Sequence, residues 1–559
     1  MLIFASRNLN MATSDIYSKE YDVIIVGGGV TGAGTARDCA MRGLCVMLVE
    51  RNDYSTGATG RNHGLMHSGG RYAVTDSESA AECMAENLIM RKIARHCIEP
   101  TDGLFITLPE DDLDYQHTFV QACQRAGIQA QVIDPDEARR LEPAINPDLT
   151  GAVRVPDASI DPFRLTVANL LDARLHGAVT LNYHEVEGIT TCQGRVQSVK
   201  LLNKLDGTRA QVHARVVVNA AGIWGQRLAR MAGVEIPMFP ARGALLIFGP
   251  RVNHMVINRC RKPSNGDILV PDGTVSVLGT TSDRIPVESI DDMRVTRQEV
   301  DTLMEQGLKI SPQLARTRIL RAYAGVRPLV ACDDDPSGRS ISRGIVCMDH
   351  ASRDGLEGFI TITGGKMITY RLMAQIATDA VCAKLAVDAT CQTADKPLPG
   401  SEEPAGSSDD NATKRYSFAQ RAAIGRHGTL AAKCDSNDDI DNALVCECEG
   451  VTVGEIRYAL NDLHVYNLVN LRRRTRLGMG NCQGKLCSCR AASLLALFHH
   501  DVRRAQEDLA NFLDERWKGM RPVAWGDTLR EAQFTASIYQ GLCGLDSVIG
   551  EPRKEGTTT

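Results

Sequence analysis

The hydrophobic pattern near the start of the chain predicts a strand, a glycine turn, a helix and a second strand in succession. Residues 22–26 (DVIIV) are almost continuously apolar, as a strand buried on both faces should be. Residues 33–42 read as a helix that ends before Gly43, and the apolar run 44–49 leads into Glu50. Strand, helix and strand within about 30 residues predict a parallel βαβ unit.

Two later segments repeat the strand, turn and helix order. Residues 215–222 (RVVVNAAG) form an apolar run that ends in small residues, and a helix is predicted over 224–232. Residues 358–366 (GFITITGGK) form another apolar run that ends in a glycine turn, and a helix is predicted over 367–385. Three such returns favour one large domain around an extended cofactor, which suits FAD better than a single NAD half-site.

The pattern changes between about 240 and 330. Short apolar or alternating runs at 244–248, 267–270 and 275–279 are separated by Pro, Gly, Asn and Asp. This arrangement predicts an antiparallel sheet inserted into the nucleotide domain, where it would form a wall facing the substrate. A helix is predicted over 296–308.

The predicted fold class is therefore α/β. A FAD-binding Rossmann-type domain carries an inserted antiparallel β substrate domain, and a small, mainly helical, cysteine-rich domain follows it. The predicted divisions, in chain order, are a loose extension (1–19), a nucleotide-binding and substrate domain (20–395), a linker region (396–440), a cysteine module (441–500) and a C-terminal tail (501–559).

Composition narrows the class of protein. The net charge of −5 over 559 residues gives no basic field for nucleic acid. No apolar run reaches about 18 residues, so we expect no transmembrane helix, and the apolar run at the start is too short for a secretory signal. The 18 cysteines then indicate a reducing compartment, where thiols serve as ligands or core residues.

The first glycine turn carries the dinucleotide fingerprint G-x-G-x-x-G at Gly27, Gly29 and Gly32. The motif lies between a strand and a helix, and the acidic residue Glu50 follows about 20 residues later, which is the context that the fingerprint requires. Glycines allow close approach of the backbone to a pyrophosphate, and the helix N-terminus offers free N–H groups. Glu50 is predicted to accept hydrogen bonds from the ribose.

Cationic residues lie beside three glycine-containing or strand segments. The segment 61–72 (RNHGLMHSGGRY) contains Arg71, 323–329 contains Arg327, and Arg343 precedes the turn that contains Lys366. The arginine fork matches phosphate geometry, so this set could hold a small phosphorylated substrate. Each residue could instead be a surface residue or pair with a nearby acid.

Five of the 18 cysteines fall between 446 and 489. Their spacing is C-x-C at Cys446 and Cys448, then 33 residues, then C-x₄-C at Cys482 and Cys487, with Cys489 in addition. Four thiolates suit a [2Fe-2S] cluster or tetrahedral zinc, and a site without metal is the third possibility. The basic run 472–476 just upstream could offset the charge of a cluster, dock an acidic partner or form a solvated face.

These segments together resemble FAD-dependent glycerol-3-phosphate dehydrogenases, within the D-amino-acid-oxidase-like flavoproteins. The resemblance rests on the motifs around residues 22–43, 58–72, 216–225, 324–329 and 358–371. With the cysteine-rich end included, the whole chain resembles the catalytic A subunits of the anaerobic branch of that family. The cysteine spacing resembles the [2Fe-2S] module related to bacterioferritin-associated ferredoxin.

The resemblance implies a set of functional residues. FAD would be held by the fingerprint glycines, Glu50 and the second glycine turn, and the substrate phosphate by cationic and tyrosine side chains. The implied FAD-binding residues are Gly27, Gly29, Gly32, Glu50, Gly364 and Gly365; the implied phosphate ligands are Arg71, Tyr72, Arg327 and Arg343; and the implied cluster ligands are Cys446, Cys448, Cys482 and Cys487. Lys366 would lie near the reacting hydroxyl, and the predicted catalytic set is His67, Lys366 and Arg327.

One position departs from the aerobic relatives, which carry a histidine in a Lys-Gly-Ser-His stretch. The corresponding run here is 242–245 (RGAL), so Leu245 replaces the histidine and cannot take a proton. His67, with His63 behind it, is therefore our candidate base because its pKa suits proton transfer near neutral pH. A structural contact to the flavin or a neighbouring loop is the alternative role for His67.

The implied reaction is oxidation of sn-glycerol 3-phosphate to dihydroxyacetone phosphate. Electrons would pass to quinone through two partner subunits, a second flavoprotein and a membrane-anchoring iron–sulfur protein, so the chain would lie peripherally on the cytoplasmic side of the inner membrane. Two alternatives remain. The chain could be one subunit of an amine or imino-acid dehydrogenase that contains FAD and an iron–sulfur cluster, or it could be a non-catalytic flavin-binding protein whose C-terminal module is stabilised by zinc.

Overall fold

A computed structural model describes residues 13–330, 344–402, 416–435, 438–543 and 545 of the chain. Arg343, one of the predicted phosphate ligands, lies outside these residues. So do residues 1–12 of the predicted loose extension, whose described part contains a short helix.

The strands fall into an amino-terminal group before residue 230 and a later group. The first group consists of β1 (Tyr21–Val26), β2 (Val46–Glu50), β3 (Leu65–Met66), β4 (Ile98–Glu99), β5 (Gly103–Thr107), β6 (Gln131–Ile133), β7 (Gly151–Val155), β8 (Ala158–Ile160), β9 (Val179–Asn182), β10 (His184–Cys192), β11 (Arg195–Asn203) and β12 (Arg209–Asn219). The second consists of β13 (Met238–Gly249), β14 (Val256–Arg259), β15 (Ile268–Asp272), β16 (Val275–Gly279), β17 (Asp283–Arg284), β18 (Arg318–Val330), β19 (Ile345–Asp349), β20 (Phe359–Gly364), β21 (Leu444–Cys446) and β22 (Val451–Thr452).

The helices are distributed along the whole described chain. They are α1 (Thr13–Ser18), α2 (Val30–Met41), α3 (Gly70–Ala73), α4 (Ser77–Ile93), α5 (Leu113–Arg125), α6 (Pro135–Leu141), α7 (Pro162–Leu175), α8 (Gly225–Met231), α9 (Arg297–Ile310), α10 (His350–Asp354), α11 (Tyr370–Leu385), α12 (Phe418–His427), α13 (Val453–Asp462), α14 (Leu468–Thr475), α15 (Cys487–His499), α16 (Arg503–Met520) and α17 (Gly526–Cys543). Among the described residues, none of these helices is both long and apolar enough to cross a bilayer.

The first sheet is the predicted nucleotide-binding sheet. Five parallel strands lie in the order β9-β2-β1-β12-β20, and β10, β11 and β19 extend the sheet by antiparallel pairing. The residues of β1 are buried because the sheet is covered on both sides, with α2, α7 and α11 packed on one of them. The three predicted strand–turn–helix returns thus bring their glycine-rich ends to one edge of a single sheet.

The second sheet contains the predicted insertion and further strands. β13, β15, β16, β17 and β18 pair antiparallel, as the alternating pattern predicted. Strands β5, β6 and β7, from residues 103–155, extend the same sheet because β5 pairs parallel with β14. Thr296 caps α9 by accepting a hydrogen bond from the Glu299 backbone N–H, at the residue where the sequence placed the helix start.

The C-terminal residues form most of a further apolar core, to which α7 contributes Val167. Most of its other side chains come from β21, β22 and α13 to α17, with Cys446 and Cys487 among the buried members. Trp525, which the sequence placed in a tail, is partly exposed just before α17. The last two long helices, α16 and α17, pack on this unit and on β18 of the second sheet.

The basic run 472–476 joins this C-terminal unit to the rest of the chain. Arg473 and Arg474 both pair with the buried carboxylate of Asp53, at 2.9 and 2.5 Å. Burial alone would raise the pKa of Asp53, but the two guanidinium groups hold it below its ordinary value. Arg473 and Arg474 are thus buried in ion pairs with a distant part of the chain and do not lie on the solvated face that was one of the suggested roles.

Arg476, the last arginine of the run, reaches the second sheet. Its guanidinium lies 2.8 Å from Asp272 and 3.1 Å from Glu449, which neighbours Cys448. A single buried arginine therefore bridges the β15–β16 hairpin and the cysteine-bearing unit. Removing Arg476 would break both ion pairs at a buried position, which is expected to be strongly destabilising.

Candidate functional site

A cavity of about 490 Å³ lies between the glycine-rich edge of the first sheet and the face of the second. The residues predicted for cofactor, substrate and catalysis that line it are Gly27, Gly29, Glu50, His67, Arg71, Tyr72, Arg327, Gly364, Gly365 and Lys366. These residues are up to 339 positions apart in the chain, between Gly27 and Lys366, and the fold brings them to one space.

The structure explains in different ways why glycine stands at the fingerprint positions. Gly27 has φ of +121°, and a Cβ there would collide with the Ala220 carbonyl oxygen. Gly32 is packed against the Gly27 carbonyl oxygen, so no side chain fits, and it lies behind the cavity wall rather than on it. Gly29 faces the cavity at the start of α2, where N–H groups and the helix dipole point at the space. This cradle fits a pyrophosphate.

Glu50 lies at the carboxyl end of β2, where it lines the cavity. Its two carboxylate oxygens accept hydrogen bonds from the backbone N–H groups of Gly28 and Asn52, at 2.8 and 2.9 Å. Burial raises the pKa of Glu50, and these two hydrogen bonds partly offset that effect. Each oxygen keeps a second lone pair, so the carboxylate can still accept from a ribose hydroxyl.

The second glycine turn brings Lys366 to the cavity. Gly364 and Gly365 have φ of +74° and +62°, and the Gly365 N–H donates to the Gly344 carbonyl oxygen at 3.0 Å. A Cβ at Gly365 would collide with the Met373 thioether. The left-handed conformation and the close packing both explain why two glycines stand here.

A group of ring and cationic side chains lines the cavity next to this turn. The ammonium of Lys366 lies 4.7 Å from the ring centroid of Tyr72. The rings of His67 and Tyr72 are 5.5 Å apart, and those of His63 and His67 are 6.1 Å apart. The Asn87 amide donates to the His67 carbonyl oxygen at 3.0 Å, which fixes the backbone under the imidazole.

Arg327 projects from β18 and is held by the end of the neighbouring hairpin. Its guanidinium donates to the hydroxyls of Thr280 and Ser282, at 2.6 and 3.1 Å, and to the Thr281 carbonyl oxygen at 3.1 Å. Gly243 on β13 leaves room for it, because a Cβ there would lie 2.7 Å from a guanidinium nitrogen. The segment 280–282 escaped sequence reasoning, since hydroxyl residues after a strand are common in turns.

Arg71 is positioned by a buried acid that the sequence did not single out. Its guanidinium lies 3.6 Å from the carboxylate of Asp267, which is completely buried and also lies 2.7 Å from Arg261. The Ser264 N–H donates to the same carboxylate at 2.5 Å. The sequence offered only one signal for Asp267, namely that it is an acidic residue immediately before the apolar run 268–270.

Leu245, the position where the aerobic relatives have histidine, lines the cavity from β13. Its side chain is only 1% exposed and packs against Gly279 of β16. Neighbouring Arg242 is engaged with Glu299 at 3.0 Å. This part of the wall therefore presents an aliphatic side chain and no proton acceptor.

The four predicted ligand thiols lie together in the C-terminal unit. Interactions between thiols join Cys446 to Cys487, Cys487 to Cys482, and Cys482 to Cys448. The C-x-C pair stands at the end of β21, and Cys487 opens α15. Residues 478–489, which we term the cysteine loop, hold the second pair.

Backbone N–H groups point at three of these sulfurs. The interaction with Cys487, together with N–H groups of Gly478 and Glu449, lowers the pKa of Cys446 to about 7 despite its burial. N–H groups of the cysteine loop also reach Cys482 and Cys448. Hydrogen bonds of this kind favour thiolates and tune the potential of an iron–sulfur centre.

The pairing of the thiols fits a binuclear cluster. Tetrahedral zinc requires four ligands around one centre, whereas each iron of a [2Fe-2S] cluster takes two thiolates. The four cysteines would therefore hold such a cluster as two pairs.

The cysteine loop rests on the far end of the strands that line the cavity. Gly249 ends β13, and a Cβ there would collide with the Asn481 side chain, next to Cys482. Leu245 lines the cavity four residues earlier on the same strand. At about 3.3 Å per residue, β13 spans only ~13 Å between these two positions.

Comparison with protein families identifies both units. Residues 22–371 match the FAD dependent oxidoreductase family, and residues 444–496 match the BFD-like [2Fe-2S] binding domain. The first match covers every residue that lines the cavity except Met373, and the second covers the four thiols.

Individual relatives match almost the whole chain. The A subunit of the anaerobic glycerol-3-phosphate dehydrogenase of Escherichia coli (strain K12) is 60% identical, over 96% of this chain and 99% of its own. The protein of the same name from Haemophilus influenzae is 56% identical, over 99% of both chains. The structure of the glycerol-3-phosphate dehydrogenase from Bacillus halodurans, complexed with FAD, is similar in fold, with a TM-score of 0.69, 21% identity, and coverage of 92% of this chain and 98% of that one.

Proposed function

The chain belongs to the FAD dependent oxidoreductase family, in the branch of the anaerobic glycerol-3-phosphate dehydrogenase A subunits, and from this we propose that it oxidises sn-glycerol 3-phosphate to dihydroxyacetone phosphate. It is a flavoprotein dehydrogenase with FAD and a [2Fe-2S] cluster as cofactors. When bound, FAD supplies a hydride acceptor for an alcohol carbon, and the cluster supplies a one-electron carrier.

One observation carries the choice of substrate: a cavity that adjoins the glycine cradle gathers Arg71, Arg327 and Lys366 around one space. A phosphate dianion would be held by guanidinium forks, whereas an ammonium-bearing substrate would be repelled by the same groups. We assign the phosphate to Arg71, Tyr72 and Arg327. Arg343 belongs to the same proposal on the ground of its sequence motif.

We assign the reacting hydroxyl to the neighbourhood of Lys366 and His67. The ammonium of Lys366 would orient the hydroxyl and favour the developing negative charge on its oxygen. The His67 imidazole would take the proton, because the other side of the cavity presents Leu245, which has no acceptor. Asp267 and the segment 280–282 would keep the two arginines in place.

An anaerobic titration of the purified holoprotein tests the substrate. We expect sn-glycerol 3-phosphate to bleach the flavin absorbance and to produce the EPR signal of a reduced cluster. Glycerol, which lacks the phosphate, and D-alanine, which carries an ammonium, serve as matched controls and should leave the flavin oxidised. Bleaching by the amino acid but not by glycerol 3-phosphate would favour the amine dehydrogenase alternative.

Replacement of the proposed base gives a second test. We expect His67→Asn to lower kcat/KM by about 10²- to 10⁴-fold and to remove the acidic limb of the pH profile. His213→Asn, on an exposed position of β12, is the control. An unchanged pH profile with a raised KM would show that His67 only positions the substrate.

We infer further that electrons leave through the cluster to partner subunits and finally to quinone. The short span of β13 between the cavity and the cysteine loop supports this direction. By analogy with relatives named as subunits, the partners would be a second flavoprotein and a membrane-anchoring iron–sulfur protein, with this chain peripheral on the cytoplasmic side of the inner membrane. Co-purification of quinone reductase activity with tagged chain from membranes would test the assignment, and activity confined to the isolated chain would contradict it.

A further inference from the structure

Cys489 is the fifth cysteine of the segment 446–489, and it is not one of the four proposed cluster ligands. Its sulfur lies 2.9 Å from the sulfur of Cys543, 54 residues later in the chain. Cys543 is the last residue of α17, and both side chains are half-buried, so a small oxidant can reach them. Two thiols at this separation need to approach by less than ~1 Å to reach the S–S bond length of about 2.05 Å.

Helix α17 connects two parts of the molecule before it reaches this pair. Near its start, the Thr528 hydroxyl donates to the Ile319 carbonyl oxygen of β18 at 2.7 Å. Near its end, the Tyr539 hydroxyl donates to the carbonyl oxygens of Gly484 and Lys485, at 2.9 and 3.2 Å. The helix therefore lies across the cysteine loop, and its final residue meets Cys489 on α15.

The sides of α17 add weaker contacts to the same loop. Lys485 lies 3.3 Å from the carboxylate of Glu531 and 4.1 Å from the ring centroid of Phe534. Phe534 is about half exposed, and Glu531 is partly exposed, so solvent weakens both contacts. Tyr539 is also buried in the apolar core of the C-terminal unit and contacts the Ser488 hydroxyl, and the Cys489–Cys543 contact lies four residues further on, at the end of the helix.

We propose that Cys489 and Cys543 form a reversible dithiol–disulfide pair, which a hydroperoxide oxidises and which then latches α17 over the cysteine loop. Hydrogen peroxide oxidises one thiol to a sulfenic acid and releases water. The second thiol attacks that sulfur, the S–S bond forms, and the hydroxyl leaves with the thiol proton as a second water. Two thiols lose two electrons and two protons, and one peroxide becomes two waters.

The latch protects the cluster by restricting access to its ligand loop. With the pair reduced, the end of α17 is held by noncovalent contacts alone, and local opening of the helix would expose residues 484 and 485. A disulfide closes the chain between α15 and α17, which removes most of the open conformations. The site depends on neither the substrate nor the electron acceptor.

Mass spectrometry of the intact holoprotein tests the pair directly. Protein purified anaerobically with FAD and iron bound would be treated with one equivalent of hydrogen peroxide and then catalase, alkylated and digested without reduction. We expect a peptide that joins Cys489 to Cys543, absent from Cys489→Ser and Cys543→Ser and retained in the control Cys192→Ser, an exposed cysteine on β10. Cross-links from Cys489 to Cys482 or Cys487, or sulfinic acid at Cys543 without a cross-link, would overturn the proposal.

The rate of iron release tests the function of the latch. Peroxide-treated protein, after catalase, should lose iron to a ferrous chelator several-fold more slowly than the Cys543→Ser variant treated in the same way. Dithiothreitol should abolish the difference by reducing the disulfide. A disulfide that forms without any change in iron release would overturn the protective role.

Discussion

The flavin cavity and the cysteine site are assembled in opposite ways. The cavity wall is drawn from positions between Val26 and Met373, through turns whose glycines touch backbone or bulky side chains far along the chain. The four thiols come from two short segments, 446–448 and 482–487, within a small unit whose apolar core is built mostly from its own residues. The first site thus depends on how distant strands dock, and the second depends mainly on local spacing. We therefore expect that each can be disturbed while the other stays intact.

The substitution Cys482→Ser should give the largest difference between the two sites, because it should affect the cysteine site and leave the flavin cavity unchanged. Cys482 interacts with two of the other thiols, so its loss should remove the [2Fe-2S] absorbance and nearly all bound iron. FAD content and flavin bleaching by glycerol 3-phosphate should remain. The measurement compares the visible spectrum and the iron content of this variant with those of the control Cys192→Ser. Simultaneous loss of FAD would show that the two regions are not independent.

A smaller but still large effect is expected from Glu455→Gln, in the core of the cysteine-bearing unit. Burial would raise the pKa of Glu455, but Arg426 and His427, at 2.6 and 2.9 Å, lower it to about 2. Because the folded pKa lies below the ordinary value of about 4.5, the ion pair stabilises the fold fully above about pH 4.5 and loses this effect as the pH falls towards 2. Removing the carboxylate should cost about 3–5 kcal/mol, since the buried guanidinium of Arg426 loses its charged partner.

Urea unfolding, followed by cluster absorbance and by flavin fluorescence, checks this expectation. The cluster transition should shift to lower urea, and its acid sensitivity below pH 4.5 should flatten, while the flavin transition shifts less. Glu187→Gln, an exposed carboxylate on β10 paired with Arg209, is the matched control and should leave both transitions in place. Equal shifts of the two probes would indicate a single cooperative unit.

The smallest of the three effects is expected in the cavity, from Arg327→Ala. Hydrogen bonds to a charged group contribute about 1.5–3 kcal/mol, so kcat/KM for glycerol 3-phosphate should fall about 10- to 150-fold. Cluster absorbance and iron content should not change. Arg284→Ala, an exposed arginine on β17 that stacks on Phe239, controls for loss of a nearby positive charge. An equal loss in the control would show that general electrostatic attraction, rather than Arg327, binds the phosphate.

The sequence determined those features whose requirements are local. A strand that runs into glycines and a helix fixes the phosphate cradle, because only glycine fits the conformation of Gly27 and the packing of Gly32. The fold class, the two cofactors and the family were predicted correctly, the family and the [2Fe-2S] cluster through the resemblance of the glycine and cysteine motifs to those of known proteins. The roles assigned to His67, Arg71, Lys366 and the four cysteines stay predictions, although the structure brings the first three to one cavity and the thiols together.

Other features depend on which surfaces meet, and only the tertiary structure decided them. The strands from residues 103–155 join the second sheet through the parallel pairing of β5 with β14, which no local sequence pattern predicts. Asp53 pairs with Arg473 and Arg474, more than 400 residues away in the chain. Cys489 meets Cys543 because α17 returns over the cysteine loop. Side-chain periodicity records which face of an element is buried, but it carries no information on the partner that buries it.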